Sequence, residues 1–131
     1  MRRKLIKIFD IDSYENSQAL TKAIEDFVNE NFVLDIVDYE TWVVEIGGYD
    51  RELFFLLYIG NVDSEKTKKT GKKRIKIFDT SSFDRVKDLQ NAINEIAKDN
   101  DIININYWNI RGNEYIKDVI IVLYEEYETE S

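Results

Sequence analysis

Apolar and polar residues alternate from Leu5 to Phe9, with Ile6 and Ile8 in step, before the chain turns polar at Asp10-Ile11-Asp12-Ser13. A two-residue period predicts a strand. The period then changes. Between about Asn16 and Asn31, Leu20, Ala23, Ile24, Phe27 and Val28 recur at helical spacing and form one apolar stripe. Ser13 or Ser17 is the expected N-cap and Asn31 the expected stop. Val33 to Ile46 is rich in β-branched and aromatic residues, but its parity switches. Val37, Tyr39, Thr41 and Val43 share one phase, and Trp42, Val44 and Ile46 the other. A bulge within one long strand reconciles them. Gly47-Gly48 signals a hairpin turn. Leu53 to Ile59 is apolar at every position, as in a strand covered on both faces.

After a polar stretch from Gly60 to Gly71, expected to be a linker, the same order returns. Ile75 to Phe78 reads as a strand. Val86, Leu89, Ile93, Ile96 and Ala97 form a helical stripe. Ile102 to Ile110 is a strand, Gly112-Asn113 a turn, and Val119 to Tyr124 a strand apolar on both faces. The acidic tail from Glu125 is expected to fray.

The recurrence extends to residue identity. Ile6-Lys7-Ile8-Phe9-Asp10 reappears as Ile75-Lys76-Ile77-Phe78-Asp79, and at the same spacing of 69 Lys4 matches Lys73, Leu20 matches Leu89 and Ile24 matches Ile93. Beyond the first helix the spacing becomes 66. Trp42 then matches Trp108, Tyr49 matches Tyr115 and Tyr58 matches Tyr124. Internal repeats fix the unit before any fold is assigned. The expected fold is α+β: two β-α-β-β repeats with pseudo-two-fold symmetry, antiparallel-rich sheets and two helices. Within each unit the most apolar strand, the third, should lie between the first and second. The division is one domain of 131 residues, with repeat one at 1–60, a basic linker at 61–73 and repeat two at 74–131. One copy is too small to bury much surface alone, so the copies should share a core.

The lysine-rich strand ending in Phe-Asp, followed by a helix and a hairpin, resembles a family of very small firmicute sporulation-associated proteins. The resemblance covers Lys4 to Asn31 and Lys73 to Asn100. It implies two tandem copies of a unit that such proteins carry once, and it brings no catalytic residues with it. Frequent Ile, Asn and Lys fit an AT-rich genome such as that of a firmicute or its phage.

Charge changes the picture more than composition does. The chain has a net charge of −8, unevenly spread. Residues 1–65 hold 6 basic and 14 acidic side chains, residues 66–74 hold 6 basic and no acidic ones, and residues 75–131 hold 6 basic and 12 acidic ones. An acidic body favours basic partners and disfavours phosphate backbones. The absence of cysteine and histidine removes thiolate chemistry, imidazole bases and zinc–thiolate sites. No apolar run is long enough for a bilayer, and a cytoplasmic location is expected.

Few candidate sites follow. Asp10-x-Asp12 could hold a hard cation, but the second copy has Ser81 in place of Asp12, and a strand-ending turn explains the pair better. Neither a metal site nor a cofactor is expected. Lys66, Lys68, Lys69, Lys72 and Lys73 offer the one place for nucleic acid, although a solvated strap explains them without a ligand. Trp42, Tyr49, Arg51, Trp108, Arg111, Tyr115 and Lys117 form the candidate binding set, being aromatics and cations at nearly equivalent places on the two hairpins. The expected function is non-enzymatic binding, in three readings. One is a phage or mobile-element inhibitor acting on a host protein through an acidic surface. The second is a module sequestering a small anionic or nucleotide ligand at the repeat junction. The third is a sporulation-linked structural protein. A protein partner with a basic surface leads, and self-association is compatible with all three.

Overall fold

The structure is a computed structural model that describes residues 1–113 and 115–130. The chain runs β1 (Arg2–Asp10), α1 (Ser17–Val28), β2 (Asp35–Ile46), β3 (Tyr49–Asn61), β4 (Lys66–Asp79), α2 (Val86–Asp99), β5 (Asn100–Arg111) and β6 (Ile116–Thr129). A short 3-10 turn follows β1 at Ile11–Ser13, and another follows β4 at Thr80–Ser82. The result is α+β, with two antiparallel three-stranded sheets ordered β1-β3-β2 and β4-β6-β5.

Each sheet places its most apolar strand in the middle, as the sequence pattern requires. Registers correspond at the sequence offsets. Ile6 faces Leu57 and Ile75 faces Leu123; Trp42 faces Leu53 and Trp108 faces Val119. The bulge predicted within β2 falls between Ile36 and Asp38, and β5 bulges at the corresponding place, between Ile102 and Asn104. Gly47 and Gly48 both adopt positive φ, 64° and 83°, which the tight β2–β3 hairpin needs and which costs glycine little.

Three expectations change. The N-cap of α1 is Asn16, whose side chain accepts from the Ala19 N–H, while Ser13 Oγ turns back to donate to the Asp10 carbonyl. The basic stretch is not a free linker. From Lys66 onward it is the first half of β4, laddered against the acidic end of β6, so that end is a strand as well. Lys68 pairs with Glu128 at 3.6 Å, Arg74 with Glu126 at 2.7 Å and Lys73 with Glu125 at 4.0 Å. Opposite charges facing across a ladder stabilise it, and each neutralises the other. Replacing residues 66–73 with a Gly/Ser sequence should therefore lower stability by roughly 2–4 kcal/mol, through lost strand propensity and lost pairs. Denaturant titration checks this, and a loss under about 0.5 kcal/mol would show that the ladder contributes nothing.

The third change concerns symmetry. A two-fold axis between the copies would bring the same face of each sheet inward. Sheet β1-β3-β2 does turn its Ile6/Ile8 face inward, and those side chains are 0% and 5% exposed. Sheet β4-β6-β5 turns the opposite face inward, with Phe78, Ile120, Val122 and Ile105 in the core. Its Ile75 and Ile77, in the identical pentapeptide, are 65% and 55% exposed. The two sheets therefore stack with their pentapeptide faces pointing the same way, not towards each other. Helix α1 covers the outer face of the first sheet through Phe27, which meets Phe9 and Tyr58 edge-on. Helix α2 lies within the shared core, burying Leu89, Ile93 and Ala97.

Candidate interaction surfaces

The junction between the two halves of the chain is held by amide side chains on α2. Asn94 Oδ1 accepts from the Ile6 N–H at 2.7 Å, and Asn94 Nδ2 donates to the Ile6 carbonyl at 2.8 Å. Gln90 Oε1 accepts from the Ile8 N–H at 2.8 Å. Strand β1 is an edge strand, and these two side chains stand where a neighbouring strand would be. They satisfy backbone groups that would otherwise be orphaned beside the core. Nearby, Arg3 is buried, with its guanidinium 4.0 Å from the centre of the Tyr127 ring.

At the other end of the junction, Asp118 on β6 gathers donors from both sheets. Tyr107 Oη donates to Asp118 Oδ1 at 2.7 Å and Asn109 Nδ2 to the same oxygen at 2.8 Å. The Glu45 N–H of β2 donates to Oδ2 at 2.8 Å. A cleft of about 440 Å³ opens beside this cluster, lined by Glu45, Asp50, Asp118 and Arg111 with Val43 and Ile116 among others. Burial and the Asp118 carboxylate push the Tyr107 hydroxyl up to about 12. A raised pKa adds stability that is complete below the ordinary value of 10.0 and is lost as pH rises through about 12. Absorbance titration of the tyrosines should thus show a late-ionising fraction that Tyr107→Phe removes. An unchanged profile would place Tyr107 in contact with solvent.

The hairpin residues divide. Trp42 is half-buried at the junction, its ring 4.8 Å from Phe55 and 6.1 Å from Tyr107. Trp108, its counterpart, is exposed, as are Tyr49, Tyr115, Arg111 and Lys117. Arg51 Nη1 pairs with Asp10 Oδ2 at 2.7 Å, and Lys117 Nζ with Asp79 Oδ2 at 2.6 Å. These equivalent pairs tie each hairpin to the end of the strand beside it. Hydrogen bonds from Lys117 and then Ser81 hold the Asp79 carboxyl below its ordinary range, and the same contact raises Lys117. The structure therefore does not gather the seven candidates into one site. Asp10 also accepts from the Asp12 N–H at 3.2 Å, as a strand-ending turn does. Among the described residues, no cluster of three or more His, Cys, Asp or Glu is arranged to hold a metal, and no helix is long and apolar enough to cross a membrane.

The largest exposed apolar groups lie elsewhere. Every residue from Leu34 to Thr41 is exposed, and Asp35, Asp38 and Glu40 are interleaved there with Ile36, Val37 and Tyr39. Asp35 and Asp38 each accept from the next residue's N–H, which blunts this strand edge against pairing with another sheet. Sequence reasoning placed these residues in one long bulged strand and named no exposed ridge on it. It also missed Gln90, Asn94, Tyr107, Asn109 and Asp118. No protein-family model matches the chain, and neither a curated protein nor a solved structure matches it.

Proposed function

We propose that the chain is a non-enzymatic binding protein that engages a basic protein partner through the β2 ridge, in the manner of a phage or mobile-element inhibitor of a host protein. The observation that carries this is the exposure of Ile36, Val37 and Tyr39 between Asp35, Asp38 and Glu40. Alternation along this edge strand sends Ile36 and Tyr39 to one face and Asp38 and Glu40 to the other, so a basic partner that wraps the edge desolvates the former and neutralises the latter. The reading takes the chain as a duplicated β-α-β-β unit, which the shared pentapeptide and the matching registers support. A small anionic ligand at the junction is less well supported, because three of the four charged groups lining the cleft are carboxylates.

The test uses the variant Asp35→Asn/Asp38→Asn/Glu40→Gln, whose amides keep the side-chain acceptors and lose the charge. Capture of a basic protein from host extract should weaken as salt rises and should drop in the variant, while the melting curve is unchanged. Capture indifferent to both would move the binding surface off the ridge.

A further inference from the structure

Three sets of equivalent positions are buried in one copy and more exposed in the other, two of them fully open. Ile6 and Ile8 are covered, whereas Ile75 and Ile77 are not. On the helices, Leu89 and Ile93 are fully buried, whereas Leu20 and Ile24, 69 residues earlier, are only half-buried. On the second strands, Ile102 and Ile105 are 0% and 9% exposed, whereas Ile36 and Tyr39, 66 residues earlier, are 47% and 63% exposed. In each set the buried members meet at the junction inside the chain and the open members lie at its two ends. The tail surface of the second copy therefore has the apolar groups that the junction buries on the first. The head surface of the first copy has the places that the junction buries on the second.

We infer that the chain associates with a second copy of itself head to tail, the Ile75/Ile77 face of β4 in one molecule receiving the α1/β2 face of the next. The internal junction is the template. Its contact is heterologous, so it leaves one unsatisfied surface of each kind, and such contacts continue until a ring closes or a filament grows. Charge does not decide the pairing. Beside the exposed isoleucines, Lys73 is already matched with Glu125 at 4.0 Å. Asp38 and Glu40, opposite Leu57 and Phe55, stand on the junction face of their sheet rather than on the head, so shape and apolar match carry the contact. One feature of the template is altered. At the positions of Gln90 and Asn94, α1 carries Thr21 and Glu25. A carboxylate accepts from a strand N–H but cannot donate to the adjacent carbonyl, as Asn94 does. The association between molecules is accordingly weaker than the junction within one, and reversible.

This goes beyond binding of a basic partner, although it uses the same β2 ridge as one of its two ends. The experiment is sedimentation of the full chain over a range of concentrations, alongside Ile77→Asp, which spoils the tail, and Tyr39→Asp, which spoils the head. Both residues are already exposed, and melting curves confirm that the variants fold. Wild-type mass should rise with concentration through dimer to larger species. Each variant alone should remain monomeric. An equimolar mixture should form dimers and stop there, since each molecule retains one intact end of opposite kind. Wild type that stays monomeric up to about 1 mM overturns the inference. So does a Tyr39→Asp variant that still dimerises, which would mean tail meets tail. A monomeric chain that nevertheless captures basic protein in a salt-sensitive way overturns self-association and leaves the proposed function standing.

Discussion

Ile6→Ala should destabilise the protein by about 2–5 kcal/mol, whereas Ile75→Ala, the same change in the same pentapeptide, should cost under about 1 kcal/mol in dilute solution. The two residues share neighbours in sequence, strand type and cross-strand partner, facing Leu57 and Leu123. They differ in what lies above them. Ile6 is packed in the core with Ile93 and Leu89, so alanine leaves a cavity as well as losing transfer free energy. Ile75 projects from the open face, so alanine removes little buried surface. Denaturant midpoints at unchanged slope measure the difference. Equal losses would mean that both faces are covered and that the copies are arranged symmetrically.

Asn94→Ala should cost about 2–4 kcal/mol although it removes no apolar surface. The substitution strands both the N–H and the carbonyl of Ile6 at the margin of the core, and each unsatisfied group costs about 1–3 kcal/mol. Asn94→Leu should be no better, since a larger apolar side chain cannot serve either group. Asn94→Gln discriminates further. It keeps the chemistry but lengthens the reach by a methylene, so a partial loss is expected. The counterpart Glu25→Ala on α1 should leave stability within about 0.5 kcal/mol. A mild effect of Asn94→Ala, below about 1 kcal/mol, would show that water replaces the amide at the β1 edge.

Much of the fold was legible from periodicity. The middle position of β3 and β6 followed from their apolar character on both faces. A bulge in β2 was expected from the parity switch between Thr41 and Val44, and one occurs nearer the start of the strand, between Ile36 and Asp38. What was not legible has one common cause. Sequence patterns report that a face is apolar, not what covers it. The pentapeptide has the same pattern in both copies, so nothing local distinguishes the buried Ile6 from the open Ile75. Asn94 and Gln90 lie beside the stripe of α2 and look like ordinary solvated positions until β1 is brought against them. The basic stretch was misread because its partners, Glu125, Glu126 and Glu128, are more than fifty residues away and resemble a frayed tail. Of the candidate site, the hairpin cations Arg51 and Lys117 pair with Asp10 and Asp79, carboxylates that the sequence pattern marks only as strand ends.

The amide clamp on β1 also dictates an order of events. Strands β1, β2 and β3 can pair once Asn61 has left the ribosome, but the Ile6 N–H waits for a side chain 88 residues further along. Until α2 is made, the first sheet has a bare edge and a bare apolar face, the surfaces through which nascent chains aggregate. Contacts of such long sequence separation also slow folding, because loop closure must precede any stabilisation they bring. The first half of the molecule is thus made early and completed late, its interval of vulnerability set by the time needed to synthesise the second.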